Sequence, residues 1–146
     1  MQRQLRREFA GAIYHVMSRG DRREKIYRTD QDRRLFLTAL TEACGKTSWQ
    51  IHAYCLMSNH FHLVLETPQP NLVAGMKWLL GVYTKRFNIG HKECGHLFAG
   101  RYKALHVCKC QSSLFELLRG VKPEWRLKSA QNFLRQGFAA AGVWQC

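Results

Sequence analysis

The sequence predicts a ferredoxin-like α+β sandwich, in which an antiparallel sheet carries two helices on one face and leaves its other face open. Three observations predict this fold class. The chain has 146 residues, the length of one domain with one core. Its hydrophobic content of 46 % is enough for such a core to form. Its predicted elements follow the order strand, helix, strand, strand, helix, strand.

The first half of the chain predicts one strand and one helix. After a basic N-terminal arm, the β-rich segment 12–17 predicts the first strand. Segment 30–44 predicts a helix that Thr29 caps and that Gly45 ends. This helix is predicted by an apolar stripe at helical spacing, formed by Phe36, Ala39, Leu40 and Ala43.

The second half predicts a hairpin, a long helix and a last strand. Segments 49–57 and 61–67 predict two strands joined by a turn at 58–59. Asn71 is expected to cap the long helix, and segment 101–107 predicts the fourth strand. The apolar stripe of the long helix consists of Leu72, Met76, Leu79, Leu80, Tyr83 and Phe87.

The charge of the chain indicates a polyanionic partner. Lysine and arginine number 23 against 10 acidic residues, which gives a net charge of +13 with neutral histidines. In a small domain such an excess is typical of proteins that bind nucleic acid. No apolar run approaches the ~20 residues of a membrane span, and the N-terminus lacks the apolar stretch of a signal peptide. We therefore expect a cytoplasmic protein with no membrane partner.

The six cysteines are expected to be reduced thiols, because no secretory signal accompanies them. A zinc site would need four ligands, and His91, Cys94, His96, Cys108 and Cys110 lie close enough in sequence to supply them. Their spacings match none of the usual zinc knuckles, so the favoured interpretation is incidental cysteines in loops.

The triplet His60-Phe61-His62 is the most informative local pattern. Because side chains alternate along a strand, the two imidazoles share one face and Phe61 points to the other. The apolar face must meet the helices, so both imidazoles project from the open face with bases about 6–7 Å apart, near enough to hold one metal ion. Asn59, directly before them, adds an amide. The alternative is a pair of solvated or hydrogen-bonded histidines with no metal.

The neighbouring residues add a family resemblance. Segment 52–67, which contains the triplet, closely resembles the His-hydrophobe-His motif of tyrosine transposases that act on single-stranded DNA. The branch that it most resembles is the REP-associated tyrosine transposases and their insertion-sequence relatives. Further blocks at 11–20, 30–37, 83–88 and 95–104 agree in order, so that the resemblance covers about residues 5–118.

The resemblance implies a function and a site. Proteins of this kind bind hairpins and their single-stranded flanks, usually as homodimers, and the resemblance implies a place at the bacterial nucleoid. His60 and His62 would hold Mg²⁺ or Mn²⁺ on the scissile phosphate, with a third polar ligand. A tyrosine from a helix after the fourth strand would attack that phosphate and form a 5′-phosphotyrosine, so that the strand is rejoined without ATP.

The chain departs from the family pattern at the nucleophile. The family tyrosine is expected near Gly120, after a short helix that begins at a capping-box pattern of Ser113 and Glu116, but no tyrosine follows Tyr102. Tyr83 is a weak substitute because it belongs to an apolar stripe, and Tyr102 is another. We therefore expect a DNA-binding and metal-binding domain at 1–119 and a diverged segment of the same domain at 120–146.

Five polar residues are candidate DNA contacts, although a solvated basic surface would have the same composition: Asn59, Arg19, Arg86, Arg101 and Lys103. Three hypotheses for function follow. The first is a transposase-family protein that binds hairpin-containing single-stranded DNA and a divalent metal, with strand cleavage and transfer implied but without an identified nucleophile. The second is a non-catalytic binder of DNA or RNA hairpins on the same scaffold. The third is a basic structural protein with incidental histidines.

Overall fold

The structure, a computed structural model, describes residues 7–107. The elements in this part of the chain are β1 (Ala12–Arg19), α1 (Asp30–Thr47), β2 (Gln50–Leu56), β3 (His60–Thr67), α2 (Leu72–His91) and β4 (Lys103–Val107). A single 3₁₀ turn at Asp21–Arg23 follows β1. The predicted order of strands and helices is confirmed over this range. The predicted short helix that begins at Ser113 and the diverged segment 120–146 lie outside the described residues. Within 7–107, neither helix is apolar enough over a sufficient length to cross a membrane.

The four strands form one antiparallel sheet in the order β2-β3-β1-β4. Both helices cover the same face, where Val16 and Phe61 are fully buried in one core with Phe36 and Tyr83. The ring of Phe36 contacts those of Phe61 and Tyr83. The ferredoxin-like sandwich predicted from the sequence is therefore confirmed. On the uncovered face, which we call the open face, a second small apolar cluster consists of Ile13, Ala53, Val64 and Val107.

Helix α1 begins as predicted and ends later than predicted. Thr29 Oγ1 accepts a hydrogen bond from the Asp32 amide, and the Asp32 carboxylate accepts one from the Thr29 amide, which together form a capping box. The prediction that Gly45 ends the helix is wrong, because the helix continues to Thr47 and Ser48 supplies the left-handed cap at φ 61°. A glycine costs a helix only about 1 kcal/mol, and the last turn of α1 brings the Thr47 carbonyl to the side chain of Asn71.

The beginning of α2 also differs from its prediction. Asn71 occupies the cap position, but its side chain makes no cap bond. Its Oδ1 accepts instead from the indole nitrogen of Trp49 at 2.9 Å, and its Nδ2 donates to the Thr47 carbonyl at 3.0 Å. The carboxylate of Glu8 accepts from the Val73 amide at 2.6 Å and supplies the negative charge that the helix N-terminus favours. Asn71 therefore ties both helices to the start of β2.

Gly75 provides a stability test of this junction. A Cβ at Gly75 would overlap the indole of Trp49, whose displacement would also break its bond to Asn71. We expect Gly75→Ala to lower the free energy of unfolding by about 1–3 kcal/mol, the usual cost of overpacking a core. Gly81→Ala is the matched control in the same helix. The space around its added Cβ is open, so it should stabilise the protein by up to about 1 kcal/mol. Urea denaturation measures both values, and equal effects would contradict the prediction.

Candidate functional site

The two histidines of the triplet lie side by side on the open face. Both project from β3 with ring centroids 5.0 Å apart and ring planes at 80°. Between them Phe61 points to the helices, where it is fully buried and its ring lies 4.9 Å from that of Phe36. Because the burial of Phe61 fixes which face of β3 meets the core, it also fixes the direction of both imidazoles.

Asn59 holds the ring of His60 in one orientation. Its Nδ2 donates to the Arg23 carbonyl at 3.3 Å, which turns its Oδ1 toward His60 Nδ1 at 2.7 Å. An amide oxygen only accepts hydrogen bonds, so this network assigns the ring proton of His60 to Nδ1. A neutral imidazole with its proton on Nδ1 has its lone pair on Nε2. His60 therefore carries the lone pair that a metal ligand needs, on the nitrogen farther from the backbone.

A third histidine, which sequence analysis missed, belongs to the same group. His15 projects from β1 onto the open face, and its Nε2 lies 3.0 Å from His62 Nδ1. The alternation of β1, whose Tyr14 and Val16 are buried, could have predicted the face of His15. Its nearness to His62 depends on the register in which β1 pairs with β3, and the sequence does not specify that register.

All three histidines are held in the neutral form. Burial lowers the pKa of His15, and burial followed by the charge of Arg19 lowers the pKa of His60. The pKa of His62 falls to about 4, mainly through burial and further through the adjacent His15, His60 and Arg19. At neutral pH the cluster is therefore a set of uncharged nitrogen donors beside a permanent positive charge.

The candidate DNA contacts fall into two groups. Arg19 pairs with His60 across β1 and β3 and shares its face, and Lys103 pairs with Met17 of β1 on the same face. Arg101 lies exposed just before β4. Arg86 lies instead in the helical layer, where its guanidinium makes two 3.0 Å bonds to the carboxylate of Glu42.

The backbone at the Arg19 end of the sheet is fastened on two sides. The Gly20 amide donates to the Asn59 carbonyl at 2.8 Å, and the Ala99 amide donates to the Arg19 carbonyl at 2.8 Å. The Asp21 amide donates to the Leu97 carbonyl at 2.9 Å. These bonds connect the end of β1 to both the β2–β3 turn and the segment after α2. Arg19 and Asn59 are therefore placed beside the histidines by backbone contacts rather than by their side chains alone.

None of the chain's five tyrosines, all of which lie within residues 7–107, projects onto the open face. Tyr83 is fully buried and its phenol donates to the Ile26 carbonyl, and burial raises its pKa. Tyr102 is 8 % exposed and belongs to the core cluster on the helical side. The structure therefore does not bring either substitute nucleophile to the histidines. The position near Gly120 lies outside the described residues.

The histidines of the described part of the chain do not form a complete metal site with acidic or thiol side chains. Within 7–107, no three side chains of His, Cys, Asp or Glu are arranged to hold a metal ion. Cys44 and Cys55 are buried, Cys94 is exposed, and none of these three forms a disulfide. Cys108 and Cys110 of the zinc alternative lie outside the described residues. A metal at His60 and His62 therefore needs further ligands from elsewhere.

Comparison with known proteins agrees with this fold. The family model "Transposase IS200 like" matches residues 8–116. The structure of a REP-associated tyrosine transposase bound to a REP hairpin is similar with a TM-score of 0.63 and 12 % identity, covering 80 % of this chain and 68 % of that one. A protein from Deinococcus radiodurans that is provisionally named a transposase is similar with a TM-score of 0.54 and 17 % identity, covering 82 % of this chain and 96 % of that one. No curated protein matches the sequence of this chain.

Substitution of Tyr83 distinguishes a core role from a nucleophilic one. Tyr83→Phe leaves the buried Ile26 carbonyl without this donor, so we expect it to lower the free energy of unfolding by about 1–3 kcal/mol. It should not change any covalent attachment of the protein to DNA. Tyr14→Phe is the matched control and should cost less, because it removes a bond to the amide of Phe9, whose side chain is half exposed. Loss of a covalent adduct in a folded Tyr83→Phe protein would contradict this assignment.

Proposed function

Because the chain belongs to the IS200-like transposase family, we propose that it binds hairpin-containing single-stranded DNA on the open face of its sheet. The observation that carries the proposal is the composition of that face, where two neutral imidazoles lie beside the guanidinium of Arg19. Lys103 adds a second cation. The REP-associated relative with the same fold is bound to a REP hairpin, which supports the choice of DNA.

We propose that His60 and His62 hold a divalent metal ion, Mg²⁺ or Mn²⁺. The donor set fits such an ion, because the rings are adjacent and the network of Asn59 leaves the lone pair of His60 on Nε2. Imidazole nitrogens suit Mn²⁺ better than Mg²⁺, which prefers oxygen ligands. A bound metal would polarise a phosphoryl oxygen of the DNA and stabilise negative charge there. Oxygen atoms of the DNA phosphate would supply the metal ligands that the two imidazoles do not.

The chain's own cations bind and orient the DNA in this proposal. Arg19 presents a planar, permanently charged guanidinium, which is suited to paired hydrogen bonds with a phosphate. Its backbone is held by Ala99, so its side chain leaves the sheet directly opposite His60. Arg101, just before β4, and Lys103, its first residue, add further positive charge on the other side of β1. Arg86 is engaged with Glu42 on the helical layer and is not part of the proposed site.

Strand cleavage is a separate proposal, because it needs a nucleophile. Every tyrosine of the chain points away from the histidines in the described residues, which favours the alternative of a non-catalytic binder of DNA or RNA hairpins. Cleavage and transfer through a phosphotyrosine are implied by the family. A homodimer and a place at the bacterial nucleoid are likewise expectations from the family, and analytical ultracentrifugation tests the first of them.

One experiment separates these functions. The protein is incubated with labelled hairpin single strands and Mn²⁺, and samples are assayed for binding and for a covalent protein–DNA adduct. Salt-sensitive binding without an adduct supports the binder. An adduct that His60→Ala abolishes supports metal-dependent cleavage. The proposal fails if hairpin single strands bind no better than duplex of the same length.

The role of Arg19 can be measured by the salt dependence of binding. Arg19→Gln removes one cation from the open face, so we expect weaker hairpin binding and a salt slope shallower by about 0.7 for the lost phosphate contact. Lys77→Gln removes the same charge from the exposed side of α2 and is the matched control. Lys77→Gln should leave affinity and slope nearly unchanged. Equal losses in the two variants would indicate that net charge alone governs binding.

A further inference from the structure

His15 and His62 meet edge to edge rather than face to face. Their ring planes are nearly parallel, at 13°, and the ring centroids are 5.2 Å apart, while His15 Nε2 and His62 Nδ1 are only 3.0 Å apart. The two nitrogens therefore lie close to the line that joins the ring centres. In this arrangement the lone pair of one nitrogen points at the other nitrogen, which is the geometry of an in-plane hydrogen bond.

The in-line geometry indicates a shared proton and not a shared metal. Two ligands of one metal ion direct their lone pairs at a third point, the ion, whereas these nitrogens point at one another. At 3.0 Å the contact must hold a ring proton, because two lone pairs aimed at each other would repel. Either His62 Nδ1 donates to His15, or His15 Nε2 donates to His62.

The two directions of this hydrogen bond have opposite consequences for His62. If His62 Nδ1 donates, its proton is there and its lone pair is on Nε2, ready for a metal. If His15 donates, the proton of His62 is on Nε2, and that nitrogen cannot be a ligand. The first direction gives His62 the same tautomer that Asn59 imposes on His60.

We propose that His15 is a positioning residue of the metal site, which accepts the Nδ1 proton of His62 and so holds the Nε2 lone pair of His62 toward the ion. This inference rests on the proposed function, because it gives His62 the role of a metal ligand. Ligand histidines in proteins are commonly oriented by a partner on the other ring nitrogen, and loss of that partner weakens metal binding.

The sheet gives His15 the rigidity that a positioning residue needs. Its neighbours Tyr14 and Val16 are buried among the helices, and β1 is paired on both sides, with β3 and β4. His15 itself pairs with Val64, two residues along β3 from His62, and long side chains span this diagonal distance. The contact therefore depends on the register of a central strand rather than on a loop.

The test measures Mn²⁺ affinity without DNA, through the electron paramagnetic resonance signal of the free ion. His15→Phe keeps a ring and removes its nitrogens, and we expect it to weaken Mn²⁺ binding about 10- to 100-fold. His15→Gln offers an amide oxygen at similar reach, and it should restore most of the affinity. The matched control is His52→Phe. It removes another sheet histidine, which contacts Glu66 instead, and it should bind Mn²⁺ like the wild type.

A second readout needs no metal. Long-range ¹H–¹⁵N NMR of the metal-free protein distinguishes the two neutral histidine tautomers, and circular dichroism checks that each variant is folded. The wild type should show the proton of His62 on Nδ1, and His15→Phe should shift it toward Nε2. The inference is overturned if a folded His15→Phe binds Mn²⁺ like the wild type, if His15→Gln restores nothing, or if the wild type carries the His62 proton on Nε2. Failure of the wild type and of His52→Phe to bind Mn²⁺ would instead overturn the metal part of the proposed function.

Discussion

The pairing of β1 with β3 decides what the open face of the sheet contains. In the observed register, Arg19 lies opposite His60, and His15 lies within hydrogen-bonding distance of His62. Since side chains alternate along a strand, a shift of one residue would turn both His15 and Arg19 toward the helices. The same shift would move Val16 from the core, where it is fully buried, to the open face. Burial of apolar side chains on one face therefore maintains the chemistry of the other.

The two layers of the sandwich separate packing from chemistry. The helical side holds the tyrosines, and there the phenol of Tyr83 is buried, bonded and kept neutral by a raised pKa. It also holds the ion pair between Arg86 and Glu42, so that this arginine charge is largely neutralised within the protein. No helix covers the open face, where the neutral imidazoles of His60 and His62 lie beside Arg19. Ligand binding at the histidines therefore does not require any change in the core.

Local patterns predicted part of this site, and long-range contacts decided the rest. The shared face of His60 and His62 follows from strand alternation over three residues, and the order of elements follows from periodicity. The nearness of His15 depends on strand register, which no pattern within β1 specifies. The structure departs from two local predictions: α1 continues past Gly45, and Asn71 takes the predicted cap position but makes no cap bond with its side chain. Both departures involve the side chain of Asn71. It donates to the Thr47 carbonyl in the last turn of α1 and accepts from the indole nitrogen of Trp49. These contacts between elements replace the local helix-end signals that the sequence shows.

The charges around the histidines couple the proposed metal to the proposed DNA. Burial is the main cause that lowers the pKa of His60 and His62, and the positive charge of Arg19 adds to it. The same charge opposes a divalent cation at their nitrogens. A DNA phosphate that contacts both cations would offset this repulsion and supply oxygen ligands that the imidazoles lack. Because coupling between two ligands is reciprocal, the metal would strengthen DNA binding by the same factor. Neutral imidazoles within a strongly basic chain are thus suited to a metal ion and a phosphate together, more than to either of them alone.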